Sequence, residues 1–172
     1  MATPRARAVL RAGTYQGDAD DHIVLPHDGR HRRRVTMRTK GDLVFLLDLA
    51  EPTRLLHGDG LRLEDGRTIG VIAAEEPVAE ITARDAHHLA RLAWHLGNRH
   101  LPTEVLPDRL RIAPDAVIEE MVRGLGGTVC HVEARFEPEG GAYDHAGHDH
   151  DRHSHDHGHC HHHNHSHHDH EH

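Results

Sequence analysis

The chain is poor in aromatic residues, with two Phe, two Tyr and one Trp among 172 residues. Any core must therefore be built from Leu, Val, Ile and Ala, and it will be modest. Cysteine is nearly as scarce. Cys130 and Cys160 cannot make a disulfide framework, and a thiol in a polar C-terminal stretch suits a reducing, cytoplasmic compartment. No apolar run approaches the roughly 18 residues that a membrane span needs. The opening stretch MATPRARAVLRAG has no continuous apolar segment of the signal-peptide kind, so a soluble protein without a leader is expected. Excess positive charge is missing too. The net charge is −8, divided into 19 basic and 22 acidic residues up to Tyr143 and 1 and 6 beyond it. That balance argues against a nucleic-acid or anionic-membrane partner. The one basic cluster, Arg30 to Arg34 with Arg38 and Lys40, is local and reads as a solvated face, with a partner-docking patch as the alternative. There is also no carboxylate pair, nucleophile elbow or phosphate-binding loop, so the chain is not read as an enzyme.

What the chain does have is histidine, concentrated at its end. From Asp144 to His172, 15 of 29 residues are His, against 9 in the preceding 143. They are His145, His148, His150, His153, His155, His157, His159, His161, His162, His163, His165, His167, His168, His170 and His172, interleaved with Asp, Ser, Gly and Asn. A purification tag is usually a short unbroken run, unlike this irregular stretch. Without large apolar side chains the segment cannot offset the entropy of ordering its backbone, and disorder is expected. Neutral imidazole is a good ligand for Ni(II), and Zn(II) and Cu(II) suit the same donors. His-x-His spacing gathers several nitrogens about one ion without a fold, and the carboxylates offset its charge.

Before the tail, residues 1–75 read as a small all-β domain, a sandwich or barrel. Short apolar stretches (His22 to Leu25, Leu43 to Leu47, Leu61 to Leu63, Thr68 to Ile72) alternate with Asp-Gly and Gly-Asp turn signals. Ala74 to Pro77 reads as a linker. From Val78 the pattern becomes strand, helix, two strands, helix, strand. The first helix is capped by Thr82 or Asp85, carries Leu89, Leu92, Ala93 and Leu96, and ends at Gly97-Asn98. Pro102 to Leu106 and Arg109 to Ile112 are β. The second helix opens at Pro114-Asp115 and lines one face with Val117, Ile118, Met121 and Val122, and Thr128 to Phe136 closes the unit. The expected class is α+β: the β domain, a ferredoxin-like βαββαβ domain over 76–143, and the tail over 144–172.

Among the earlier histidines, His88 and His95 share a helix face about 10 Å apart along the axis, too far for one ion, and read as surface or packing residues. His22, His27, His31 and His57 lack ligand spacing and read as solvated. Cys130 and His131 are neighbours on a strand and point to opposite faces. His100 follows a helix end, where its side chain can project. A symmetric dimer would bring two such imidazoles together on its axis.

The stretch Leu89 to His100, ending in Gly-Asn-Arg-His, resembles the signature of the urease accessory protein UreE family. Val122-Arg123-Gly124-Leu125-Gly126 and Phe136 to Tyr143 running into the His-rich tail are similar to that family as well. The resemblance is close over 85–172; in the first 75 residues it extends to Arg33-Arg34-Val35. It implies a nickel metallochaperone with a peptide-binding-like β domain and a ferredoxin-like metal-binding domain. It further implies a homodimer with His100 of each chain on nickel at the interface, and partners comprising an accessory GTPase and the urease apoprotein complex. Several members carry histidines at the start of the second helix. Here Pro114 and Ala116 stand there, which shifts the load to His100 and the tail. A storage or buffering protein for nickel or zinc, acting through the tail, is the rival reading.

Overall fold

In a computed structural model, residues 3–15 and 18–140 are described; the histidine-rich stretch from 144 lies outside them. The first strands are β1 (Arg5–Leu10), β2 (Asp21–Leu25), β3 (His31–Arg38), β4 (Val44–Arg54), β5 (Gly60–Leu63) and β6 (Thr68–Ala73). They form one sheet in the order β2-β6-β5-β1-β4-β3, parallel at β1/β4 and β2/β6 and antiparallel elsewhere. Alternation in β4 turns Phe45, Leu47 and Leu49 inward onto Leu61, Ile69 and Val71, and Phe45 is the one aromatic in this core. The sheet curls until its ends meet. The Lys40 N–H donates to the His22 carbonyl at 2.8 Å, and the Asp21 carboxylate accepts from the Thr39 hydroxyl and the Gly41 N–H.

Three features depart from the sequence reading. β1 and β3 were hidden, because arginine interrupts the apolar alternation in both. The expected linker is no linker: β7 runs Glu75–Thr82 and includes Pro77. β7 pairs with β10 along its whole length but with β9 only from Ala79 onward. Pro77, lacking an N–H, thus sits where β7 has a strand on one side only.

The second sheet joins β7, β8 (Thr103–Val105), β9 (Arg109–Ile112) and β10 (Thr128–Arg135) in the order β10-β7-β9-β8, antiparallel throughout. Helices α1 (Ala86–Gly97) and α2 (Ala116–Gly124) supply Leu92, Leu96 and Val122 to a core with Ala79, Ile81, Leu110 and Ile112. Both helices begin on an aspartate cap, Asp85 on the His88 N–H and Asp115 on the Val117 and Ile118 N–H groups. Val117, expected on the buried face of α2, is 76% exposed, and Ile118, Met121 and Val122 carry the packing.

Both sheets belong to one unit ending at Gly140. Residues 136–139 strap them together. Arg30, 1% exposed, donates to Glu137 Oε1 at 2.8 Å and to the Phe136 carbonyl. Arg54 Nη2 donates to the Pro138 carbonyl at 2.9 Å, and the Glu139 N–H to the Thr103 carbonyl at 2.9 Å. No helix among the described residues is long and apolar enough to cross a membrane.

Candidate metal-binding site

His100 stands where α1 gives out. Leu96 anchors the last turn in the core, the Arg99 N–H donates to the Leu96 carbonyl at 3.0 Å, and the His100 N–H donates to the Gly97 carbonyl at 2.9 Å. His100 then adopts φ 54°, a left-handed conformation uncommon for a residue with a side chain. Leu101, half-buried against the core, ties the chain down again. The imidazole is therefore held on an exposed corner fixed from both sides. It lies at a helix C-terminus, where the aligned carbonyls favour a cation. Trp94, six residues earlier on α1, is 63% exposed, beside exposed Ala90, Arg91, Gly97 and Asn98.

The other histidines are engaged differently. His88 is buried: its Nδ1 accepts from the Arg84 N–H at 3.4 Å and its Nε2 lies 2.8 Å from the Leu125 carbonyl. Only the tautomer protonated at Nε2 satisfies both contacts, and it leaves no lone pair for a metal. His95 is half-buried, its ring edge-on to Trp94. His131 reaches Glu119 Oε1 at 2.9 Å on the helix side of its sheet, while Cys130 lies opposite Glu80 in the register, on the other face. Burial pushes the Glu119 carboxyl up, but hydrogen bonds from His131 and Arg123 outweigh it and hold it below the ordinary glutamate value.

Two histidines expected to be solvated belong instead to the seam between the sheets. His27 sits half-buried with its ring 5.1 Å from that of Phe136, and burial, Arg54 and Arg30 together depress its pKa. His57 accepts from the Ala73 N–H at 3.3 Å through Nδ1, and its backbone N–H donates to Glu137 Oε1 at 2.8 Å. Apolar patterning could not find these places, because the packing partner lies some eighty or more residues away in the strap. His31 is exposed and lines a cleft of about 240 Å³ with His27, Asp28, Arg54, Pro102, Pro138 and Glu139.

Of the expected ligands, then, the structure places His100 alone; His145 through His172 lie outside the described residues. Among the described residues no group of three or more His, Cys, Asp and Glu side chains is arranged to hold a metal ion. What His100 offers is one accessible imidazole with open coordination positions, which can bind an ion firmly only with further donors.

Comparison with known proteins finds one family in both parts of the chain. The family model described as UreE urease accessory protein, N-terminal domain, matches residues 5–74, and the corresponding C-terminal domain model matches 76–172. A urease accessory protein UreE of Bradyrhizobium sp. (strain BTAi1) is 55% identical over 149 residues, covering 84% of this chain and 72% of the relative. Another from Bradyrhizobium sp. (strain ORS 278) is 55% identical over 144 residues, 84% and 69% of the two chains. One from Ruegeria pomeroyi is 46% identical over 145 residues, 84% of this chain and 95% of the relative.

Proposed function

We infer the function from one premise: the chain belongs to the family of the urease accessory protein UreE. Its role is in urease maturation, as a metallochaperone that binds Ni(II) and delivers it for assembly of the urease active site. The observation that carries this reading is His100, an exposed imidazole at a fixed corner beside an exposed Trp94. A protein that only stores metal needs no such fixed corner on its folded part.

In this reading the chain works as a cytoplasmic homodimer. The outer stripe of α1, with Trp94 among small and polar neighbours, supplies the apolar contact, and the two His100 imidazoles share one ion at the interface. Two imidazoles leave coordination positions open, which suits handing an ion on. The ferredoxin-like module of 76–143 holds that site, the β domain of 1–75 serves partner contact, and the tail collects further ions. The partners are the accessory GTPase and the urease apoprotein complex. Nickel is cargo here, and the chain itself catalyses nothing. The fifteen tail histidines favour a second reading, storage or buffering of nickel or zinc.

Calorimetric titration of a chain ending at Tyr143 separates the two. About one tight Ni(II) per dimer, lost on His100→Ala, is expected if the folded part delivers the metal. No tight binding without the tail would move storage ahead. In parallel, His100→Ala with the tail intact should fail to activate apo-urease; undiminished activation would remove His100 from the pathway.

A further inference from the structure

The outer edge of the six-stranded sheet carries a feature that metal handling does not use. β3 is last in the strand order and pairs only with β4, so half of its backbone N–H and C=O groups point away from any strand of the sheet. Along it stand Arg32, Arg33, Arg34 and Arg38, all exposed, with Lys40 just beyond. Arg34 lies 3.6 Å from Asp48 and Arg38 3.3 Å from Asp42. The Arg38–Asp42 pair is open to water and weak enough to be exchanged, and Arg34 is itself exposed while its half-buried partner Asp48 also holds Arg5. Among the described residues, Arg32, Arg33 and Lys40 form no ion pair. The far end is closed, since Lys40 donates to the His22 carbonyl and Asp21 holds Thr39 and Gly41. The open stretch is therefore 31–37. The register with β4 shifts between Arg32, opposite Thr53, and Arg34, opposite Asp48, the additional residues lying in β4, and regular pairing continues from Arg34 to Arg38.

Charge on an edge strand commonly serves to prevent sheet-to-sheet aggregation, and one lysine or one bulge is enough for that. Here five exposed cations are crowded between residues 32 and 40 of a chain whose net charge is −8. We propose that the β3 edge docks an extended acidic segment of a partner protein, added to the sheet as a further strand. The unpaired backbone would supply affinity by strand addition. The arginines would select carboxylates at alternate positions, because side chains two apart on an added strand lie on one face, about 7 Å from each other. A nucleic acid fits less well: β3 has no Phe, Tyr or Trp to stack on bases, and phosphates cannot complete a backbone ladder. The inference rests on the reading that the β domain serves partner contact, and none of the five cations is a metal donor, so it is tested apart from nickel binding.

The test uses the full chain, isotope-labelled, and a capped fluorescent peptide of alternating glutamate and threonine. Binding that weakens with salt and shifts the amide signals of residues 32–36 is expected. Arg32→Glu combined with Arg33→Glu should weaken it by about tenfold or more. Arg32→Gln with Arg33→Gln repeats the measurement should charge reversal disturb folding, which circular dichroism reports. An equally charged peptide with proline in place of threonine should bind several-fold less tightly, because it lacks the ladder donors. Undiminished binding by both arginine variants would overturn the proposal, and so would equal binding of the proline peptide. Tighter binding of an oligothymidylate of the same charge would replace the protein partner with nucleic acid. A nickel titration of the same variants should be unchanged, so loss of peptide binding and loss of metal binding are read separately.

Discussion

Replacing Arg30 with methionine tests the seam directly. Arg30 is 1% exposed, and its guanidinium bonds Glu137 Oε1 at 2.8 Å, the Phe136 carbonyl, and the Leu55 carbonyl at 3.5 Å. Methionine fills much of the volume but donates nothing. The buried Phe136 carbonyl loses its donor, at a cost of about 1–3 kcal/mol. Breaking a wholly buried ion pair would add several kcal/mol, about 3–5 in all. Glu137, however, keeps its bond from the His57 N–H, and its side chain is 34% exposed, so water screens what remains. A net loss of about 2–3 kcal/mol is therefore expected. Guanidinium unfolding followed by far-ultraviolet circular dichroism measures it, since the single Trp94 is too exposed to report on the core. Glu137→Gln keeps an acceptor for both donors but strands the buried cation. The double variant should thus lose less than the two single losses added together, with a coupling of about 1–2 kcal/mol. A loss under about 0.5 kcal/mol for Arg30→Met, or strict additivity, would mean that Arg30 does not tie the strap to the sheet.

Three further outcomes follow from the same geometry. A Cβ at Gly127 would lie 2.7 Å from Val122 Cγ1 and 3.0 Å from Leu92 Cδ1, so Gly127→Ala should cost about 1–3 kcal/mol by overpacking the junction of the helices; a neutral change in the unfolding midpoint would refute that packing. His27 is held below its ordinary 6.5 by burial and by Arg54 and Arg30. Its contribution to stability is thus complete above pH 6.5 and is lost as pH falls from there through the depressed folded value. His27→Gln should flatten that part of the stability profile, and an unchanged slope would acquit His27. Nickel capacity of the full chain should fall as pH drops through about 6.5, because imidazole must be neutral to bind; equal capacity at pH 8 and pH 5 would argue against histidine ligation.

The two helices were legible because each combines an aspartate cap with apolar residues at helical spacing, signals that lie within a dozen residues. β9, β10 and the core stretch of β4 were legible from short apolar stretches. The run from Arg30 to Lys40 shows where such reading stops. It reads as one basic, solvated cluster, yet it holds a core-facing Met37, a half-buried Val35 and the most deeply buried cation among the described residues. Nothing local separates Arg30 from Arg32. What separates them is Glu137 and the Phe136 carbonyl, more than a hundred residues away, which turn one arginine of the run into a fastening between sheets. Arg32, Arg33 and Arg34 are all exposed, so no alternation of burial along this stretch marks which way each one faces. The distinction matters for function. The buried arginine secures the strap that leads out of β10 toward the tail, while its exposed neighbours remain available to a partner. A substitution across the whole cluster would mix a loss of stability with a loss of docking, and only changes that leave Arg30 in place can tell them apart.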